Sequence, residues 1–132
     1  MNSEEQEIWD FLHHHLRAIF NRDAAAYQAT TAPDLSLYEW FVTPHRMDGL
    51  DFHLFMIKNS WAGTGTEFRY DLFEPRLQRY GDTAIVSYTF MLSIAGEQGI
   101  RHQSHNESRV LVKGPNGWQV VHVHKSPAGQ GE

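Results

Sequence analysis

The sequence predicts an α+β fold in which N-terminal helices pack on a strongly curved antiparallel sheet and enclose a cavity. Three observations carry that reading. Near the N-terminus Ile8, Phe11, Leu12, Leu16, Ile19 and Phe20 recur at helical spacing. From Glu67 onward, alternating or continuously apolar runs are separated by turn residues, the pattern of successive strands. Near the C-terminus Gly114-Pro115-Asn116-Gly117 interrupts two runs rich in β-branched residues, which is a hairpin signal. Helices followed by four or more strands make a helix layer on a sheet.

The first helix is expected over residues 4–21, with Ser3 and Gln6 in the spacing of a capping box. Within it the triplet His13-His14-His15 is too dispersed around the helix to hold one metal ion, because neighbouring positions lie about 100° apart. The expectation is two exposed histidines, with His15 at the edge of the apolar stripe. Asp23 then caps a short helix over residues 24–30, and Pro33-Asp34 closes that segment. Residues 35–41 read as a strand with Tyr38 and Trp40 on one face and Leu37, Glu39 and Phe41 on the other. Glu39 among these aromatics is expected to be solvated or paired rather than catalytic. A third helix is expected to start at Asp48, with Leu50, Phe52, Phe55, Met56 and Asn59 near one side. Residues 61–66 read as a loop. A strand over residues 67–80 is interrupted by Pro75, which implies a bulge or bend. Residues 83–95 form a long central strand, residues 96–99 turn, and residues 100–113 return. After the last hairpin, residues 118–126 form the final strand, and residues 126–132 are expected to fray.

Composition narrows the function. The chain has 132 residues, 41% hydrophobic and 13% aromatic, enough for one domain over 1–132 burying roughly two-thirds of its unfolded surface. With no cysteine there is neither a disulfide nor thiol chemistry, which suits a cytoplasmic protein. The N-terminus is acidic, unlike an export signal, and no apolar run approaches the roughly 20 residues of a membrane span. A net charge of -5 argues against nucleic acid as the main partner. No cofactor is expected. His122 and His124, with His102 or His105, form no conventional metal motif, so no metal is expected either.

Period-two alternation in the last hairpin places Glu107, Arg109 and Leu111 on one face of the first strand. In the second strand it places Val121, Val123 and Lys125 on one face and Val120, His122 and His124 on the other. If the face bearing Arg109 and Lys125 is concave, two cations and one carboxylate converge on an anion-binding pocket. Glu107 either leaves those charges to a ligand or pairs with Arg109 internally.

The string Glu107-Ser108-Arg109-Val110, a turn, Gly117-Trp118, then Val121-His122-Val123-His124-Lys125-Ser126 resembles the end of the association (hub) domain of calcium/calmodulin-dependent protein kinase II. Upstream, Asp48-Gly49-Leu50-Asp51-Phe52-His53 resembles that domain's Glu-Gly-Met-Asp-Phe-His segment, and the likeness spans nearly the whole chain. It implies the cystatin-like cone of the nuclear-transport-factor-2-like superfamily. It further implies a stand-alone hub-like module without kinase domain, linker or calmodulin-binding segment. Such a module is expected to pair with itself as a homodimer, or in a larger ring, with Trp40, Phe41, Trp61 and Trp118 as aromatic anchors. Carried over from the family, Arg109 and Lys125 match basic pocket positions, while Phe90 stands where the family has another arginine, which makes the cavity more apolar. The implied ligand is a small carboxylate held by Arg109 and Lys125, beside Glu107, among walls from Tyr38, Trp40, Tyr88 and Phe90. Replacing both cations with Met is expected to leave the fold intact and abolish binding. The alternative is a SnoaL-like or ketosteroid-isomerase-like enzyme, with Tyr38, His53, Tyr88 and Glu107 as acid-base candidates. His53 points either into the cavity or into a subunit interface, or serves the fold alone.

Overall fold

The computed structural model describes residues 2–59 and 67–128; the predicted loop at 61–66, with Trp61, and residues 129–132 of the tail lie outside them. Helix α1 runs Ser3–Phe20, and its cap is Asn2, not Ser3: the Asn2 side chain accepts the Glu5 N–H at 2.8 Å. Gln6 turns away from the cap and donates to Asp10 at 2.8 Å. The buried stripe is Ile8, Leu12, His15, Leu16, Ala18 and Ile19. His15 therefore belongs to the core, and His13 is half-buried with its Nδ1 2.8 Å from the Tyr70 hydroxyl. Only His14 of the triplet is exposed. Asp23 caps α2 (Ala24–Ala29), as its spacing predicts, by accepting the Ala26 N–H at 3.0 Å.

Strand β1 spans Thr31–Glu39, so it begins before Leu35 and leaves Trp40 and Phe41 in the turn beyond it. Pro33 is tolerated because it falls where the pairing register shifts, between Thr31 and Ser36. A short β2 (Met47–Asp48) pairs with β1, and Gly49, at φ +87, turns the chain into α3 (Asp51–Asn59). Asp48 therefore does not start the helix; its carboxylate takes the Arg46 guanidinium at 2.8 Å. The core-facing side of α3 carries His53 and Ile57, with Leu50 and Leu54 against the core, while Phe52 and Phe55 are exposed. A histidine among the inward positions hid the true stripe from an apolar count.

The remaining strands are β3 (Glu67–Tyr80), β4 (Thr83–Gly96), β5 (Gly99–Gly114) and β6 (Gly117–Pro127). They form a six-stranded sheet in the order β2-β1-β6-β5-β4-β3, antiparallel except where β1 runs parallel to β6. The expected break in β3 is a bulge between Phe73 and Arg76, with Glu74 at φ 54. A second bulge, in β6, carries no glycine or proline to mark it in the sequence. Val110 pairs with His122 and Leu111 with Val120, so Val121 is the extra residue. That shift turns Val120 and Trp118 into the core beside Val123, correcting the face shared with His122 and His124. Ser126 and Pro127 belong to β6 rather than to a frayed tail. No described helix is long and apolar enough to cross a membrane.

Candidate functional site

A cavity of about 450 Å³ opens between α1 and the concave face of the sheet. Leu16, Ile19 and Phe20 of α1 form one wall, Phe90 and Leu92 of β4 another, and Trp40 and Phe41 stand at the end of β1. Its polar lining comes from Gln103, Ser104, His105, Glu107, Arg109 and Lys125. The β-pleat explains the grouping: His105, Glu107 and Arg109 are alternate residues of β5, and Lys125 and Phe90 stand directly across from Glu107 and His105.

Arg109 is 1% exposed. Its Nε donates to Glu107 Oε1 and to the Tyr88 hydroxyl, both at 3.2 Å, and its Nη1 donates to His15 Nε2 at 3.0 Å. A guanidinium nitrogen only donates, so His15 Nε2 must accept and the proton sits on Nδ1. There it meets Thr30 Oγ1 at 2.8 Å, whose own hydrogen goes to the Ala26 carbonyl at 2.9 Å. His15 is thus held neutral by geometry, and burial together with the Arg109 charge holds its pKa well below 6.5.

Glu107 accepts the Tyr88 hydroxyl and His105 Nε2, each at 2.6 Å, as well as Arg109. Burial alone raises its pKa, but Arg109, Lys125 and His105 together outweigh burial and hold it well below the usual carboxylate range. Tyr88, buried and facing that carboxylate, is pushed well above 10. Lys125 Nζ lies 2.6 Å from Glu39 Oε2 and 3.9 Å from Glu107 Oε2, so it bridges two carboxylates. Glu39 also accepts His53 Nε2 at 3.0 Å, and the other ring nitrogen of His53 meets the Tyr27 hydroxyl. Burial opposes ionisation of Glu39, yet Lys125 and His53 bring its pKa down to about 2.

The network is balanced: two carboxylates face two cations, and Glu107 does pair with Arg109. Arg109 Nη2 nonetheless makes no hydrogen bond to any described residue, and it is not among the buried atoms left without a partner, so it reaches the cavity space. Among the predicted ligand residues, Trp40, Phe90, Glu107, Arg109 and Lys125 line the cavity. Tyr88 lies just behind it and orients Glu107. Tyr38 does not reach it: with Leu37 and Glu39 turned inward, Tyr38 points to the outer face, its ring 5.0 Å from that of His124. His53 serves neither cavity nor exposed surface but the buried Glu39 pair. The sequence reading places Phe20 and His15 on the first helix and weighs His105 only as a metal ligand, so it does not assign them, or Tyr27, to this site. The signals were present: His15 stands at i+7 from Ile8 and i+3 from Leu12, and His105 is one pleat before Glu107. No cluster of three metal-ligating side chains occurs among the described residues.

The model of the calcium/calmodulin dependent protein kinase II association domain matches residues 4–129. The chain belongs to that family. It is 27% identical over 127 residues to the Drosophila melanogaster calcium/calmodulin-dependent protein kinase type II alpha chain, covering 95% of this chain and 24% of that one. It thus spans about a quarter of the kinase's length. The S. rosetta hub crystal structure superposes with a TM-score of 0.82 at 28% identity, over 93% of this chain and 95% of that one. A nuclear transport factor 2-like protein from Salmonella enterica, 22% identical over 96% and 92% of the two chains, gives 0.73 and shares the fold. The hub cavity of this family member is therefore built on a nuclear-transport-factor-2-like cone, with the balanced ion network at its inner end.

Proposed function

We propose that this chain is a self-associating hub-like module whose cavity binds a small carboxylate. The match to an association-domain model over residues 4–129 carries the reading. The outer sheet face supports it. Tyr38, Ile85, Met91, Val110 and His122 are partly exposed there. A mixed apolar and imidazole face of this kind suits pairing with a second copy. The ligand reading rests on Arg109 Nη2 and Lys125 Nζ, which still have protons to donate, set against the rings of Phe20, Trp40, Phe41 and Phe90. A carboxylate with a flat apolar body matches both halves.

Sedimentation velocity of the wild type and Val110→Glu tests the association. The wild type is expected to sediment as a dimer or larger ring, and the variant, with a charge buried in the paired face, as a smaller species. A monomeric wild type contradicts the proposal.

A further inference from the structure

The cavity wall holds a histidine, His105, packed among aromatic rings but with only one of its two ring nitrogens engaged by the fold. His105 Nε2 stands 2.6 Å from a Glu107 carboxylate that is already ionised by its contacts with Arg109 and Lys125, so Nε2 carries the proton. In the neutral ring Nδ1 is then a bare lone pair. It makes no hydrogen bond to any described residue and is not a buried orphan, so it is open to whatever fills the cavity. The ring plane is fixed: it stacks on Phe90 at 5.1 Å and 19° and packs against Trp40 at 5.8 Å. A carboxylate that fixes the tautomer and a locked ring with one free nitrogen are what a general base requires. The Arg109 and Lys125 donors converge on the same Glu107, so groups that stabilise negative charge lie beside this base.

We infer that His105 is a general base that removes an acidic C–H proton from an aryl-substituted 2-oxo acid held in the cavity. The inference rests on the carboxylate-binding reading and adds a reaction to it. The carboxylate meets Arg109 Nη2, and the aryl ring lies on the Phe20 and Phe90 rings, themselves 5.9 Å apart and stacked. The His105 Nδ1 lone pair takes a proton from the carbon next to the ketone. The C–H electron pair becomes the enolate C=C bond, and the carbonyl π pair moves to oxygen, where the Lys125 ammonium offsets the new charge. Returning a proton from the imidazolium to either enolate terminus regenerates the acid or gives its enol, so no oxidant, reductant or second substrate is consumed. Glu107 accepts from Nε2 throughout, balancing the transient imidazolium.

Phenylpyruvate is the probe. Its affinity is measured by calorimetry, and exchange of its methylene protons for deuterium is followed by proton NMR in D₂O. The wild type is expected to bind it and to accelerate exchange over buffer by roughly 10²-fold or more. His105→Gln, whose amide still donates to Glu107, is expected to bind equally and exchange at the buffer rate. His105→Phe, which keeps the stack on Phe90, provides a second test if the first variant is unstable. Binding without accelerated exchange overturns the base assignment and leaves the carboxylate reading standing. Absence of binding overturns both. Acceleration that survives in both variants removes His105 from the reaction.

Discussion

Arg109 Nη1 donates to His15 Nε2 at 3.0 Å, a contact between two buried side chains at the inner end of the cavity. A buried cation facing an imidazole forces that imidazole to stay neutral, because protonation would set two positive charges together without water. The contact therefore ties the N-terminal helix to the β5 ion pair and makes the fold sensitive to acid.

His15 titrates near 6.5 when unfolded and well below that when folded. Between those values the unfolded chain binds the extra proton, so stability is full above about pH 6.5 and falls as pH drops below it. The slope approaches about 1.4 kcal/mol per pH unit for one such group. Glu39 and Glu107, both depressed, act lower: their contribution is present above about 4.5 and is lost as pH falls, for Glu39 toward about 2. Urea denaturation between pH 7.5 and 4.5 is expected to show falling midpoints, with a shallower decline in His15→Gln. Equal slopes in the two proteins remove His15 from the effect.

Arg109→Met leaves Glu107 buried with its strongest partner gone and is expected to cost roughly 3–5 kcal/mol. Lys125→Met does the same to Glu39. The expectation that Met at both positions leaves the fold intact fails on this geometry, since each cation neutralises a buried carboxylate. Arg109→Met combined with Glu107→Gln is expected to lose less than Arg109→Met alone. A double-mutant cycle by chemical denaturation checks this, and additive losses contradict the pairing.

Tyr27→Phe removes the hydroxyl that meets His53 Nδ1 and leaves a polar nitrogen without that partner. The expected loss is about 1–3 kcal/mol. Because Tyr27 does not line the cavity, carboxylate affinity is expected to stay unchanged in calorimetry.

Phe90→Arg puts a third cation in the cavity at a position now stacked with Phe20, Tyr70 and His105. Melting temperature is expected to fall as these contacts are lost, while carboxylate affinity rises and becomes more salt-dependent. Affinity that falls instead shows that the Phe90 ring contributes more to the ligand than charge does.

Most of this architecture is legible in the chain. Ile8, Leu12 and Leu16 mark α1, Pro75 marks the bend in β3, and the alternation of Glu107, Arg109 and Leu111 gives the inward face of β5. What stayed hidden has physical reasons. His15 and His53 occupy inward helical positions that an apolar count passes over, because their burial depends on partners from distant segments: Thr30 and Arg109 for one, Tyr27 and Glu39 for the other. The bulge at Val121 has no glycine or proline to announce it, and it alone decides that Val120 is core. Tyr38 does not share the cavity with Trp40, because β1 ends at Glu39, after which Trp40 and Phe41 reach the cavity from a turn rather than from alternate strand faces.

The most direct test of the account is native mass spectrometry of the untagged protein with and without phenylpyruvate, which reads assembly and ligand together. The expected result is an even multiple of the 15.3 kDa chain that gains the mass of the acid when it is added. A single 15.3 kDa chain at all concentrations, with no adduct, would contradict it.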